Sequence, residues 1–377
     1  MAHIGIDARE YGTEKWSGIG RYVSYLVKEI LESESEHDFT IFLPDPYYSK
    51  LLKKYSGSSK VNFKKVPASY YSWREQLILP FYLNDKTIDL YHFPHFNVPL
   101  FFNKPFVATI HDVTPLIYPG HKDKRYFRQL AYKILMSRVV KKSKGLIMIS
   151  DFTRQETEKH FPGAKDKNTV IHEAIDQAQF APVPDTAERQ ATLKKYNITK
   201  PFLLYVGVWR YHKNLVRLIK AFENIKTKLP EDYQLVLGGK SDPKYPNVQA
   251  AIDKSSVKEA IITPGFIDEK DLAALYSATA LFVFPSLYEG AGLPPLEALA
   301  CKAVVAASYV TATPETIHRQ AVFFDPQDLG SIEEALQRGL TDKNLRLKLQ
   351  NEGFAVARER TWKDVANDTL SYYSRLL

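Results

Sequence analysis

Short apolar runs recur along this chain, and stretches with helical spacing separate them. In the first half the runs lie at His3 to Ala8, Phe39 to Leu43, Ile88 to Phe93, Phe106 to Ile110, Leu146 to Ile149 and Val170–Ile171. In the second half they lie at Pro201 to Gly207, Tyr233 to Gly238, Ile261 to Thr263, Leu281 to Phe284, Ala303 to Ala307 and Val322 to Phe324. Between them, segments such as Tyr22 to Leu31, Leu215 to Ile225, Val248 to Ala260, Asp268 to Tyr276 and Ile332 to Leu340 place apolar residues on one helical face. The chain beyond Trp362 also reads as helix. Strands alternating with helices predict parallel, doubly wound α/β sheets. The pattern pauses at residues 178–200, first polar and proline-containing (Ala181-Pro182-Val183-Pro184-Asp185), then a short charged helix. We read this as a linker between two successive α/β halves. A cleft between two such halves is a natural ligand site.

Composition narrows the class. With 377 residues, two domains are expected. Aromatic residues make up 13%, with 23 Tyr and 21 Phe, so a large core is available. Cys301 is the only cysteine, which excludes an intramolecular disulfide or cysteine metal cluster and fits a reducing cytoplasm. The start, MAHIGIDAR, lacks the basic and long apolar regions of a signal peptide, and no apolar run reaches the roughly 18 residues of a spanning helix. A cytoplasmic chain, soluble or peripheral at the inner face of the membrane, is therefore expected. The net charge of +8 admits nucleic acid, an anionic membrane or a phosphorylated substrate.

Chemistry concentrates at the ends of strands. Leu281 to Ala300, LFVFPSLYEGAGLPPLEALA, reads as a strand, a glycine loop and a helix N-terminus. Gly290 and Gly292 suit unusual dihedrals or close approach to a ligand, and Pro294 and Pro295 suit a helix's first turn. A helix N-terminus is an anion site, and Glu289 and Glu297 flank this one. Val206 to Asn214 ends another strand, with Arg210 and Lys213 placed to neutralise a diphosphate and Gly207 placed to let a ligand approach. One arrangement satisfies all of these: phosphates at Arg210, Lys213 and the 290–294 loop, and a ribose diol at Glu297. Glu289 would hold a hydroxyl of the group attached to the phosphate. In the first half, Tyr11 to Gly20 reads as a loop whose Gly18 and Gly20 suggest a dinucleotide fingerprint, but Val23 stands where the third glycine belongs. A plain tight turn is the alternative. His111 follows the strand Phe106 to Ile110 and so is placed to meet a ligand.

The pattern strand-Pro-Ser-x-x-Glu-Gly-x-Gly-Leu-Pro-x-x-Glu-Ala, with Glu289 and Glu297 eight apart, resembles the signature of retaining GT-B glycosyltransferases of family GT4. The resemblance covers nearly the whole chain. It includes Gly5 to Arg9, Ser17 to Tyr22, Ser150 to Arg154 and His212-Lys213-Asn214. Tyr71 to Gln76, His92-Phe93-Pro94 and Ile110 to Pro115 are similar to a mannosyltransferase-like subgroup. The resemblance implies two Rossmann-like domains facing a central cleft, over 1–178 on the acceptor side and 195–360 for the nucleotide sugar. A helix over 361–377 would pack back on the first. It implies catalytic roles for His111, Glu289, Arg210 and Lys213. Donor contacts are implied for Gly18, Gly20, Gly207, Gly290, Ala291, Gly292, Leu293 and Glu297, with Glu297 on the ribose and Glu289 on the sugar.

The activity implied is transfer of a hexose, with a lean towards mannose from GDP-mannose, to a hydroxyl of a glycan or lipid-linked acceptor. No D-x-D pair occurs in the chain, so donor binding is expected to need neither metal nor cofactor. In the front-face picture the leaving phosphate takes the acceptor's proton, while Glu289 and His111 orient and stabilise an oxocarbenium-like centre. Two departures stand out. His212 occupies a position where many relatives have arginine. Lys302 falls where a flexible glycine is common after the second glutamate, with an effect local to the helix C-terminus or reaching the site.

The alternatives are a sugar-binding or hydrolytic homologue without transferase activity, and a glycoside hydrolase, which would need no diphosphate site. A dinucleotide oxidoreductase is disfavoured by Val23. A nucleic-acid binder is disfavoured because no compact recognition motif appears. Residues 121–144 hold nine Lys or Arg against Asp123 alone, with an apolar face of Tyr126, Leu130, Ile134, Leu135 and Val139. This reads either as a membrane-seeking helix or as a helix packed on the sheet with a solvated basic face.

Overall fold

The computed structural model describes residues 1–13, 18–55, 57–119 and 125–377. The side chains of Pro46 and Arg125 are outside that description, as are residues 121–124 of the basic stretch. The chain forms two compact units, Met1–Glu173 with Trp362–Leu377, and Ala174–Thr361.

The first unit holds seven parallel strands: β1 His3–Asp7, β2 Asp38–Leu43, β3 Val61–Lys65, β4 Leu90–Phe93, β5 Phe106–Ile110, β6 Gly145–Met148 and β7 Asn168–Val170. Their order is β3-β2-β1-β4-β5-β6-β7. The direction of winding reverses between β1 and β4, which pair in parallel from Ile4 opposite Leu90 to Ile6 opposite His92. Such a reversal splays the following loops to opposite faces and leaves a crevice at the strands' carboxyl ends. β3 was not anticipated from the sequence. It is an edge strand with only Phe63 buried, so its apolar signal is weak. The closing helix Trp362–Leu376 packs in this unit: Trp362 stacks on Tyr25 at 5.3 Å, and the Tyr372 hydroxyl donates to the Lys167 carbonyl at 2.8 Å.

The second unit holds six parallel strands: β8 Phe202–Val206, β9 Gln234–Gly238, β10 Ile261–Gly265, β11 Leu281–Phe284, β12 Val305–Ser308 and β13 Val322–Phe324. Their order is β10-β9-β8-β11-β12-β13, with the reversal between β8 and β11. Helices cover both faces, because β8, β9 and β11 bury their apolar side chains on both sides. Leu203 and Leu281 lie in one core cluster, Leu204 and Phe282 in the other. The helix Lys343–Val356 escaped the sequence reading because little of it is buried beyond Leu349 and Gly353.

Residues 178–200 are not a free linker. Phe180, Tyr196 and Ile198 join the second unit's core together with Ile175, and the Tyr196 hydroxyl donates to Asp271 Oδ2 at 2.8 Å. Apolar residues spaced among prolines and charges give no periodic signal, yet Phe180, Tyr196 and Ile198 are anchored.

Candidate active site

In the second unit, the loops after β8 and β11 leave the sheet at its switch point. The Leu287 amide donates to the His212 carbonyl at 2.7 Å, tying the two loops together. Lys213 closes a short 3-10 turn, Tyr211–Lys213, and Asn214 follows in the left-handed region at φ 59°. The Asn214 side chain donates to the Pro326 carbonyl at 2.8 Å, which fixes that turn. Lys213 Nζ thereby reaches Glu289 Oε1 at 2.5 Å, and each side chain is 14% exposed. A pair this close in a half-dry crevice is a charge-assisted contact with water still able to reach it. The Phe284 ring lies 5.7 Å from the same ammonium. His212 beside them has its pKa pushed down to about 4 by burial and by Lys213, so it is neutral at physiological pH. Arg210 is exposed at the start of the turn.

Glycines open the floor here. A Cβ on Gly239, whose φ is +124°, would lie 1.9 Å from the Gly207 carbonyl oxygen, so β8 and β9 can end side by side only without side chains. The Gly207 amide donates to the Gly238 carbonyl at 3.0 Å. Gly292, at φ +79°, caps the helix Leu293–Ala300. Pro294 and Pro295 occupy the second and third helical positions, and each lacks an N–H. The anion-binding donors expected of a helix N-terminus are therefore reduced. Gly290, Ala291 and Gly292 are buried just before that end, and Leu293 is half-buried. The Ala291 carbonyl accepts from the Thr316 hydroxyl at 2.5 Å, and the Glu289 amide donates to Thr311 Oγ1 at 3.2 Å, so the loop is held at both ends.

Glu297 is 2% exposed, and its Oε2 accepts a hydrogen bond from the buried Tyr276 hydroxyl at 3.0 Å. Two buried polar atoms in the loops after β8 and β11, Trp209 Nε1 and Ser286 Oγ, have no hydrogen-bond partner among the described residues. Buried donors without partners are uncommon in native structures and suit a polar ligand.

In the first unit, Gly18 and Gly20 are not in a loop. Both belong to the first turn of the helix Gly18–Glu32. A Cβ on Gly20 would sit 2.1 Å from Thr13 Oγ1, so glycine lets the preceding segment fold against the helix start. Glycine's low helix propensity suggests a loop, but a helix starts there, and at Gly20 Thr13 leaves no room for a side chain. Ser17 lies outside the described residues.

His111 follows β5. Its Nε2–H donates to the Pro94 carbonyl at 2.8 Å, and its Nδ1 lies 3.6 Å from Glu173 Oε1. Burial works against its charge, but Glu173 and the Pro94 carbonyl outweigh that and raise its pKa above the ordinary histidine value. Tyr22 meets its ring edge-on at 4.9 Å.

A cluster that the sequence reading assigned no role fills the first unit's switch point. Arg9, just past β1, donates from Nε and Nη2 to Asp7 at 2.8 and 2.7 Å. Its Nη2 is also 2.9 Å from Glu75 Oε1. Glu75 Oε2 accepts from Asn97 at 2.6 Å and from the Tyr71 amide at 2.9 Å. The Tyr70 ring covers the Arg9 guanidinium at 4.1 Å. Burial raises the Glu75 pKa against the pull of Arg9, and burial drives His95 well below the ordinary histidine value. An arginine two residues after a strand-end aspartate was the available signal, but the partner Glu75 lies far along the chain.

Residues 16–179 match the family model described as Glycosyltransferase Family 4, and residues 188–356 match the model for glycosyl transferases group 1. The chain is 28% identical, over its full length, to the Escherichia coli serotype-specific mannosyltransferase WbdA. It spans about half of that relative, 48%. It is 26% identical to the Escherichia coli O-antigen chain mannosyltransferase B, covering 96% of both chains. Its fold superposes on a sucrose-phosphate synthase from Thermosynechococcus elongatus with a TM-score of 0.77 at 21% identity, over 100% of this chain and 99% of that one. With a switch-point site in each sheet and both family domains in sequence, the chain belongs to the GT4 glycosyltransferases of the GT-B fold.

Proposed function

We propose that this protein transfers a hexose, mannose from GDP-mannose, to a hydroxyl of a glycan or lipid-linked acceptor, with retention of anomeric configuration. The observation that carries the reading is the Lys213–Glu289 pair at the β8–β11 switch point. It sets a cation for a diphosphate next to a carboxylate that can accept sugar hydroxyls. Arriving phosphate competes for Lys213 and frees Glu289 to bind the sugar. Arg210, exposed three residues earlier, adds a second cation without metal or cofactor. Gly207 and the backbone of Gly290, Ala291, Gly292 and Leu293 admit the donor closely, and Glu297, steadied by Tyr276, serves the ribose.

In the step proposed, the bond from the sugar's anomeric carbon to the leaving phosphate oxygen breaks. The acceptor oxygen bonds to the same face of that carbon, and its proton passes to the departing phosphate. No protein nucleophile is required. His111 is assigned a substrate hydroxyl at Nδ1, which becomes available if the Glu173 side chain moves aside while Nε2 stays on Pro94. Gly18 and Gly20, in the first turn of the helix Gly18–Glu32, are assigned as donor contacts. The mannosyltransferase names of the relatives support the choice of sugar.

A thermal-shift screen of GDP-, UDP- and ADP-sugars, with and without EDTA, tests the donor. The reading expects the largest shift with GDP-mannose, unchanged by EDTA. A shift lost on adding EDTA would overturn the metal-free assignment.

A further inference from the structure

We infer that Tyr22, Thr109, His92 and Tyr373 form a positioning chain that runs from the closing helix Trp362–Leu376 to the end of β5 and holds the His111 ring in one orientation. The chain bears on sugar transfer only through the role proposed for His111, and so rests on that reading.

The backbone of His111 is fixed by the Thr153 hydroxyl, which donates to the His111 carbonyl at 3.1 Å. The ring can still turn about its own bond. Only one orientation puts Nε2 on the Pro94 carbonyl and Nδ1 towards Glu173. A half-turn would put carbon atoms in both places. Tyr22, on the helix Gly18–Glu32, stands against this ring at 4.9 Å and 89°. A perpendicular ring at that distance in a close-packed interior leaves little room for the half-turn.

Tyr22 is itself held twice. Its hydroxyl shares a hydrogen bond with the hydroxyl of Thr109, two residues before His111, at 3.3 Å. Thr109 Oγ1 in turn meets His92 Nε2 at 2.8 Å, and His92 Nδ1 meets the Tyr373 hydroxyl at 2.5 Å. The second hold is direct, since the Trp362 ring packs on Tyr22 at 5.8 Å. The closing helix therefore grips Tyr22 from its first residue and again, about three turns later, through Tyr373.

The polarity of these residues separates positioning from filling space. Tyr22 is 1% exposed, and Thr109, His92 and Tyr373 are 0% exposed. Apolar side chains of the same shape would pack there without the cost of desolvating three hydroxyls and an imidazole. Hydrogen bonds are directional where apolar contacts are not, so a chain of them fixes the angle of each ring it joins. His92 can carry that direction because it stays neutral: burial and the neighbouring His111 push its pKa down to about 3. One of its nitrogens then donates while the other accepts, which links Tyr373 to Thr109 in single file.

Transfer kinetics and the ring signals of His111, both measured on the full chain, test this. Tyr22→Phe and Tyr373→Phe each remove one hydroxyl and keep the ring. Thr109→Val cuts the chain at its middle and should behave alike even where a tyrosine variant folds poorly. Each should lower kcat by about tenfold with the donor KM unchanged, as misorientation of a positioned group does. His111→Ala/Tyr373→Phe should be no slower than His111→Ala, because Tyr373 acts through His111. A merely structural hydroxyl would add its own loss in that background. In protein labelled with 15N in its histidine rings, the His111 signals are assigned by their disappearance in His111→Ala. They should shift or broaden in Tyr22→Phe, Tyr373→Phe and Thr109→Val. Signals identical to the parent's in these variants overturn the inference, as do losses that add in full in the double variant. Parent-like transfer by His111→Ala would instead strike the role given to His111 in the reaction, and the ring signals would still decide whether the chain holds it.

Discussion

Lys213 Nζ lies 2.5 Å from Glu289 Oε1, although 76 residues separate them in the chain. The two arrive from the two strands that flank the reversal in the second sheet, so the pair is a product of topology. It holds a cation and a carboxylate in fixed positions before any ligand binds, which is preorganisation in the sense that matters for transition-state charge.

Replacing either member should therefore damage turnover more than folding. Glu289→Gln, Lys213→Ala and Arg210→Ala are each expected to lower sugar transfer by about a hundredfold or more, as loss of a preorganised group does. Steady-state transfer assays check this. Lys213→Ala/Glu289→Gln should fall short of the summed single effects, because the two act as one unit. Lys213→Ala with turnover like the parent protein would falsify the diphosphate role.

His111 gives the first unit a pH dependence. Its pKa is raised in the folded chain because Glu173 and the Pro94 carbonyl stabilise the imidazolium more than burial opposes it. A raised folded pKa means that the native state holds the proton more tightly than the unfolded chain. The stabilisation is present in full below the ordinary histidine pKa of about 6.5 and is lost as pH rises through the raised value. Thermal unfolding followed from pH 6 to 9 should show this decline. Glu173→Gln should flatten it, and a slope unchanged in that variant would remove Glu173 as the cause.

Lys302 sits at φ +60°, immediately after the helix that carries Glu297. The Lys302 amide donates to the Leu299 carbonyl at 2.9 Å and the Ala303 amide to the Ala298 carbonyl at 3.0 Å. This is the Schellman arrangement, whose left-handed residue is usually glycine. The departure seen in the sequence is thus local to the helix end. Lys302→Gly should stabilise the protein by about 1 kcal/mol, and Lys302→Val should destabilise it by a similar amount. Equilibrium urea unfolding distinguishes the two signs.

The buried cluster around Arg9 should be fragile in one direction. Among the described residues, Arg9 is the cation paired with Asp7 and Glu75, both of whose side chains are 1% exposed, and Arg9→Met removes it. Leaving two buried carboxylates without a partner is expected to cost about 3–5 kcal/mol at neutral pH. Because burial already raises the Glu75 pKa and Arg9 is what opposes it, part of that loss should be recovered on acidification towards pH 5. Calorimetry at both pH values reads the difference, and a loss that does not depend on pH would point to packing instead.

How much of this was legible can be judged residue by residue. The strand Leu281–Phe284 and the helix Leu215–Ile225 were read with their observed bounds because each carries a strong local period. Edge strand Val61–Lys65 was missed because one buried phenylalanine makes no period. The helix start at Gly18 was missed because glycine's propensity argues against a helix, and the contact that permits it, with Thr13, is tertiary. Glu289 and Glu297 were visible as a spaced pair in one motif. Their different settings, one half-open against Lys213 and one buried against Tyr276, were not.

The sequence by itself determined the alternation of strands and helices, the glycine-rich strand ends and the residue types gathered there, because these depend on local periodicity and backbone chemistry. Only the tertiary structure decided which of those ends meet. The order of strands in each sheet brings Lys213 to Glu289 and Arg9 to Glu75, and it turns one apolar face of the helix Arg125–Lys142 outward. Strand order is fixed by burial summed over a whole sheet, and no short window of residues contains that sum.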